Sequence, residues 1–173
     1  KTWIEKLKMA RSKDQRVGVF VDAQNMYHTA RNLYRAKVNF KEVLKAAVAG
    51  RTLVQASIYV VKSDVKEEEA FFEALKKTGY NLKMKDLQIF PGGMKKGDWD
   101  VGMAIDAISM AEKLDAIVLV TGDGDMIPLV NYLKHKGVTV EVVGFGRTTS
   151  GKLIEAADEY FDLEESADKF LIK

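Results

Sequence analysis

The chain contains no cysteine in its 173 residues. That absence removes disulfides, zinc–thiolate sites and thiol nucleophiles together, and it fits a reducing, cytoplasmic compartment. An excess of one charge is also missing: 27 Lys and Arg against 25 Asp and Glu leave a formal charge of +2. The footprint of a strongly basic nucleic-acid binder is therefore lacking, and any nucleic-acid contact has to be a local patch. No apolar run approaches the ~20 residues that span a bilayer. The segment Lys1-Thr2-Trp3-Ile4-Glu5 lacks a signal-peptide core, so no membrane association is expected. A start without Met reads as a trimmed one. Histidine is limited to His28 and His135, each in a helical stretch and neither with a partner at ligand spacing. There is no internal repeat and no low-complexity segment.

What is present is enough hydrophobic residue, 47%, to bury the core of a single domain. Segments rich in β-branched residues at 17–22, 53–62, about 86–91, 116–121 and 138–144 predict strands. Helical spacing predicts helices over 24–36, 40–49, 66–78, 100–113, 126–136 and 150–157; in the fourth, Val101, Ile105, Ile108 and Leu114 mark the apolar face. The alternation predicts an α/β domain with a mainly parallel sheet. The strands at 17–22 and 116–121 are almost wholly apolar and should be interior. Residues 1–15 read as an N-terminal helical appendage, 16–163 as the domain and 164–173 as a C-terminal tail holding a short helix. Glu159 to Leu163 suggest a short sixth strand at the edge.

The densest chemistry is Val118-Leu119-Val120-Thr121-Gly122-Asp123-Gly124-Asp125, a buried-looking strand running into two carboxylates. The strand at 17–22 also delivers an acid, Asp22. Open parallel sheets bind ligands at the carboxyl ends of strands where strand order reverses. If these two strands flank that reversal, Asp22, Asp123 and Asp125 converge on one crevice, where hard oxygen ligands suit Mg²⁺ or Mn²⁺. The glycines would let backbone and phosphate approach closely. The competing reading of Gly122 to Asp125 is a solvated turn that caps the next helix. A further acidic group, Asp98, Asp100 and Asp106, follows the loop Pro91 to Gly97. Helix capping accounts for Asp98 and first-turn placement for Asp100. Asp106 lies inside an Ala/Ile/Met stretch and needs a partner or a cation. Asn25 either orients a phosphate or water, or caps a helix.

These motifs, Val19 to Asn25, Lys96 to Asp100 with Asp106, Val120 to Asp125 and Leu153 to Phe161, resemble the NYN domain family in its LabA-like branch. They occur in the family's order across residues 16–163. The resemblance implies a three-layer α/β/α PIN-like (Rossmannoid) fold with a mainly parallel five-stranded sheet of order 3-2-1-4-5, and Mg²⁺ or Mn²⁺ in an acidic crevice. It also implies ribonuclease activity. Asp22, Asn25, Asp100, Asp106, Asp123 and Asp125 match family positions; the middle motif aligns on Asp98 or Asp100, and Met126 replaces the family's aromatic.

The expected chemistry is metal-assisted hydrolysis of an RNA phosphodiester. Asp22, Asp100, Asp123 and Asp125 are the expected ligands, and Asp106 joins them as a catalytic acid. Lys62, Lys95, Lys96 and Arg147, with Asn25, are the expected substrate contacts, and Trp99 either stacks on a base or packs on its helix. The partner is RNA, single-stranded or structured, and a homodimer is compatible with this reading. Three alternatives compete. Gly146 to Lys152 has P-loop spacing, but Leu153 stands where a Mg²⁺-bearing hydroxyl belongs. An aspartyl phosphatase would need an acid where Gln24 stands. The third is a PIN-like module that binds RNA or protein without cutting.

Overall fold

The structure, a computed structural model, describes residues 13–173 apart from 63–67, 87, 90, 92–94 and 97–99. The expected N-terminal helix, Asp98 and Trp99 lie outside the described residues.

Six parallel strands form one sheet in the order β4-β3-β1-β7-β8-β9. They are β1 (Arg16–Asp22), β3 (Thr52–Lys62), β4 (Asn81–Asp86), β7 (Ala116–Val120), β8 (Thr139–Gly144) and β9 (Glu159–Asp162). The chain builds outward from β1 through β3 to β4, then returns to the other side of β1 and builds outward again. Strand order thus reverses between β1 and β7. Counting only strands of this sheet, the order is 3-2-1-4-5-6, as expected, with the sixth strand present at the edge.

The two central strands are apolar runs because both faces are covered. On β1, Val17, Val19 and Val21 face one side and Phe20 the other; on β7, Ala116, Val118 and Val120 oppose Ile117 and Leu119. The valine face is covered by α1 (Ala23–Tyr34), α2 (Phe40–Val48) and α3 (Glu68–Thr78), through residues such as Met26, Val43 and Phe72. The opposite face is covered by α4 (Asp100–Met110), α5 (Ile127–His135) and α6 (Gly151–Ala156), through Met103, Leu133 and Leu153. Burial on this scale, at about 25 cal/mol per Å² of apolar surface, holds three layers around two cores.

Two expectations shift. The third strand runs over Asn81–Asp86, not 86–91. Its sequence, Asn-Leu-Lys-Met-Lys-Asp, alternates apolar and charged residues because it is an edge strand with one neighbour, and lysines there discourage pairing with other chains. Part of the expected strand, β5 (Gln88–Ile89), instead pairs antiparallel with β6 (Lys95–Lys96). On α4 the apolar row at Val101, Ile105 and Ile108 faces solvent, with Val101 71% exposed. The sheet is met by Met103, Ala107 and Ala111, a second row at four-residue spacing. Periodicity offered both rows, and the closer approach allowed by alanine decided between them.

Residues 164–173 are drawn into the valine-side core. The short helix α7 (Ala167–Phe170) buries Phe170, whose carbonyl accepts from the Asn39 N–H at 2.8 Å. Beyond it β10 (Leu171–Ile172) pairs antiparallel with β2 (Lys37–Val38).

Candidate functional site

The crevice follows from the topology. β1 and β7 are hydrogen-bonded neighbours, with Val21 opposite Val120. Beyond those residues their chains turn away, β1 into α1 and β7 toward α5, at the strand-order reversal where open parallel sheets hold their ligands.

Asp22 closes β1 and caps α1: its Oδ1 accepts from the Asn25 N–H at 3.1 Å. Its Oδ2 accepts from the Thr121 hydroxyl at 3.4 Å. Thr121 is fully buried, and its oxygen also accepts from the Asp123 N–H at 3.2 Å. Asn25 is neither the helix cap nor a loose surface amide: its Oδ1 accepts from the Gly122 N–H at 2.9 Å, tying α1 to the loop after β7. Asp123 in turn accepts from the Asp125 N–H at 2.9 Å, capping the 3-10 turn Gly124–Met126 that leads into α5. Neighbouring loops brace this one. A Cβ at Gly122 would lie 2.8 Å from the Thr148 carbonyl oxygen, and Ser150 N–H donates to the Gly122 carbonyl at 3.0 Å. The close approach that this glycine permits is to the protein's own backbone.

The third wall is α4, which opens on a partly buried Asp100. Asp22, Asp100 and Asp123 each offer an oxygen, and the three oxygens lie within 4.8 Å of one another. Carboxylates this close repel by on the order of 3 kcal/mol per pair at the effective dielectric of a partly buried site. A divalent cation reverses the sign of that term. The donor set, oxygen-only and carboxylate-only, fits Mg²⁺ or Mn²⁺, which take few protein ligands and keep several waters.

Other expected residues are placed differently. Asp125 is exposed and enters the site through its backbone N–H. Asp106 is not in the three-carboxylate group; its Oδ2 accepts from the Tyr59 hydroxyl at 2.6 Å. Burial pushes the Tyr59 pKa up, and the bond to Asp106 pushes it further, so Tyr59 stays a proton donor to that carboxylate. The partner that Asp106 needed is therefore a tyrosine. Lys62 ends β3, three residues beyond Tyr59, which pairs with Asp22 across β1 and β3. Lys95 and Lys96 form β6, just ahead of α4. Arg147 is engaged within the protein: its Nε donates to Glu164 at 2.8 Å, and its guanidinium lies 5.3 Å from the Tyr34 ring centre.

Three residues that sequence reasoning passed over bear on the site. Thr121 braces two of the acids; its signal was a hydroxyl at the end of a wholly apolar strand. Tyr59 holds Asp106, and only the register of β3 against β1 reveals it. Gln24 has a buried Oε1 with no hydrogen-bond partner among the described residues, two positions after Asp22. An unmet acceptor of that kind costs about 1–3 kcal/mol.

The P-loop alternative fails on contacts. The Gly146 N–H donates to Asp162 Oδ1 at 2.9 Å and the Arg147 N–H to Glu164 Oε1 at 2.6 Å. Backbone donors that would cradle a phosphate already hold the protein's own carboxylates. Leu153 is fully buried.

Comparison with known proteins agrees with this geometry. The family model for the NYN domain matches residues 16–164. The chain is 26% identical over 165 residues to the low amplitude and bright protein LabA of Synechococcus elongatus, spanning 87% of this chain and 84% of LabA. In three dimensions it resembles a crystal structure of a protein of unknown function from Vibrio parahaemolyticus, with a TM-score of 0.84 and 32% identity. That match covers 95% of this chain and 100% of the other. No helix among the described residues is long and apolar enough to cross a membrane.

Proposed function

This chain belongs to the NYN domain family, a PIN-like family of nuclease type, and from that premise we propose that it is a metal-dependent ribonuclease acting at the crevice between β1 and β7. The observation that carries the reading is the meeting of Asp22, Asp100 and Asp123 within 4.8 Å. Chain segments far apart in sequence deliver these acids to a strand-order reversal, where a bound cation would offset their repulsion.

Asp22, Asp100 and Asp123 would hold Mg²⁺ or Mn²⁺. A bound ion of this kind supplies charge stabilisation at the scissile phosphate and acidifies a water. The chain's own part is positioning. Thr121 and the Asn25 N–H fix both oxygens of Asp22. The Asn25 amide oxygen fixes the loop carrying Asp123. Asp125, which is exposed, or Asp106, which accepts from Tyr59, would take a proton from the attacking water. Lys62, Lys95 and Lys96 would meet the substrate backbone. RNA in the cytoplasm is the proposed substrate.

The test is cleavage of labelled RNA and DNA in Mg²⁺, Mn²⁺ or EDTA by the wild type, Asp22→Asn and Asp123→Asn. Asparagine caps a helix as well as aspartate does, so Asp22→Asn retains α1 while removing the charge. The expected result is chelator-sensitive RNA cleavage that falls about 100- to 1000-fold in each variant. Cleavage that survives both substitutions sinks the assignment. RNA binding without metal-dependent cleavage would favour the module that binds and does not cut.

A further inference from the structure

A concave pocket of about 720 Å³ lies at the end of α1 remote from the acids, lined in part by Tyr27, Arg31, Arg35, Lys37 and Lys173. We propose that this pocket is a second nucleic-acid site, one that grips the phosphates of a single strand whose scissile bond lies in the acidic crevice. The proposal rests on the nuclease reading for its substrate class.

Four cationic side chains line the pocket, and no acidic side chain is among its lining residues. The whole chain carries only +2, so charge has been gathered here locally, as nucleic-acid contact by a near-neutral protein requires. The ordinary explanation for basic residues at a helix end is the helix dipole. It accounts for Arg31 in the last turn of α1 and Arg35 at its C-cap. It does not account for Lys37, which stands on β2, or for Lys173 beyond β10.

The lining also has the aromatic component that single-strand sites use. Tyr27 is 42% exposed, and its hydroxyl accepts from Arg31 Nη1 at 2.9 Å, a neutral partner that leaves the arginine charge uncompensated. Tyr27, Arg31 and Arg35 follow one another at four-residue steps. Tyr27 and Arg31 stand on the exposed side of α1, and Arg35 follows at its C-cap. Asp22 caps the other end of the same helix. From Asp22 to Arg35 is roughly 20 Å at 1.5 Å per residue. A stacked strand advances about 3.4 Å per nucleotide, so roughly six nucleotides bridge the two sites.

Arg35 adds a separate argument. It adopts φ 51°, the left-handed conformation that favours glycine at a helix end. Replacing it by glycine relieves backbone strain while removing the charge. The substitution thus separates the charge of Arg35 from its backbone role, because a phosphate contact would be lost while the left-handed cap is kept.

The experiment measures fluorescence anisotropy of labelled oligo(U) of about 12 nucleotides, within the range of single-strand sites, in EDTA so that no metal-dependent cleavage occurs. The wild type, Asp22→Asn and the combined Arg31→Ala, Arg35→Gly, Lys37→Ala variant are compared across salt concentrations. The combined variant should bind roughly tenfold more weakly, with a salt dependence shallower by about two in slope, as three lost phosphate contacts on a single strand require. Asp22→Asn should bind at least as tightly as the wild type. Arg35→Gly alone should melt no lower than the wild type and still bind less. With Mn²⁺ present, the combined variant should raise KM for the same RNA and leave kcat unchanged. Unaltered binding in the combined variant, or a wild type that does not bind oligo(U), overturns the proposal. So does displacement by polyglutamate as effective as by unlabelled RNA, which would mark an acidic protein as the occupant. Cleavage lost in Asp22→Asn but indifferent to the groove leaves the nuclease reading standing and removes only this one.

Discussion

At Arg51 and Glu141 the protein buries two opposite charges; at Asp22, Asp100 and Asp123 it gathers three like ones. The Arg51 side chain is 1% exposed and that of Glu141 10%. The guanidinium donates to both Glu141 oxygens, at 2.7 and 3.0 Å, and also to Gln15 Oε1 and the Val48 and Ala47 carbonyls. Every one of its N–H groups is used, and the pair is a closed electrostatic unit. In the crevice, backbone and hydroxyl donors orient Asp22 and Asp123, and three carboxylates of like sign lie within 4.8 Å of one another. The first sets opposite charges in contact; the second sets like charges together in an oxygen-only group of the kind that suits a cation. The contrast separates a structural use of charge from a functional one better than burial does, since both sites are at least partly buried.

The comparison is broken most severely at the ion pair. Glu141→Ala leaves the guanidinium buried and uncompensated, with an expected loss of about 3–5 kcal/mol in denaturant unfolding. The double change Arg51→Met with Glu141→Leu should restore most of it, because apolar residues of similar volume replace a buried pair at little cost. A double variant as unstable as Glu141→Ala would show that the pair itself, and not the orphaned charge, supplies the stability.

A smaller effect sharpens the other side. Mg²⁺ or Mn²⁺ at a hundredfold excess over Kd should stabilise the wild type by about 2.7 kcal/mol, read as a rise in Tm of roughly 5–10 °C. Asp123→Asn should lose that rise and, in EDTA, melt at or above the wild type, because one member of the repelling set is gone. A wild type unmoved by saturating metal would break the distinction between the two regions.

The smallest effect comes from a third charged group. Burial alone would raise the Glu164 pKa, but the Arg147 N–H, the Tyr34 hydroxyl and the Arg147 guanidinium together hold it below the ordinary carboxylate value. Its folded pKa is depressed, so its contribution is full at neutral pH and disappears as pH falls through that depressed value. Urea unfolding should find Glu164→Gln less stable than the wild type by at most about 1 kcal/mol at neutral pH. The gap should close in acid below the carboxylate range. A gap that is constant with pH would mean that Glu164 acts through packing.

The parts legible in the sequence are those with one physical cause. Val17 to Val21 and Ala116 to Val120 read as central strands because residues buried on both faces are apolar without alternation. Asp22 and Asp123 stand out because each breaks or follows such a run. Where two causes compete, the sequence is ambiguous. Asn81–Asp86 carries edge-strand lysines that mask its pairing, and α4 offers two rows of helical spacing. Arg147 follows a strand, as a phosphate contact would, yet Glu164 and Tyr34 claim it, and no local pattern announces a partner that far along the chain.

Composition and pattern by themselves therefore determined the α/β class, the interior strands and the acids at their ends, because solvent exclusion and strand geometry write directly into residue order. Only the tertiary structure decided which acids meet. Strand order brings Asp22 beside Asp123, and helix packing turns Asp100 into the same space while leaving Asp106 to Tyr59. Those choices depend on distances between segments remote in the chain, a quantity that no local spacing contains.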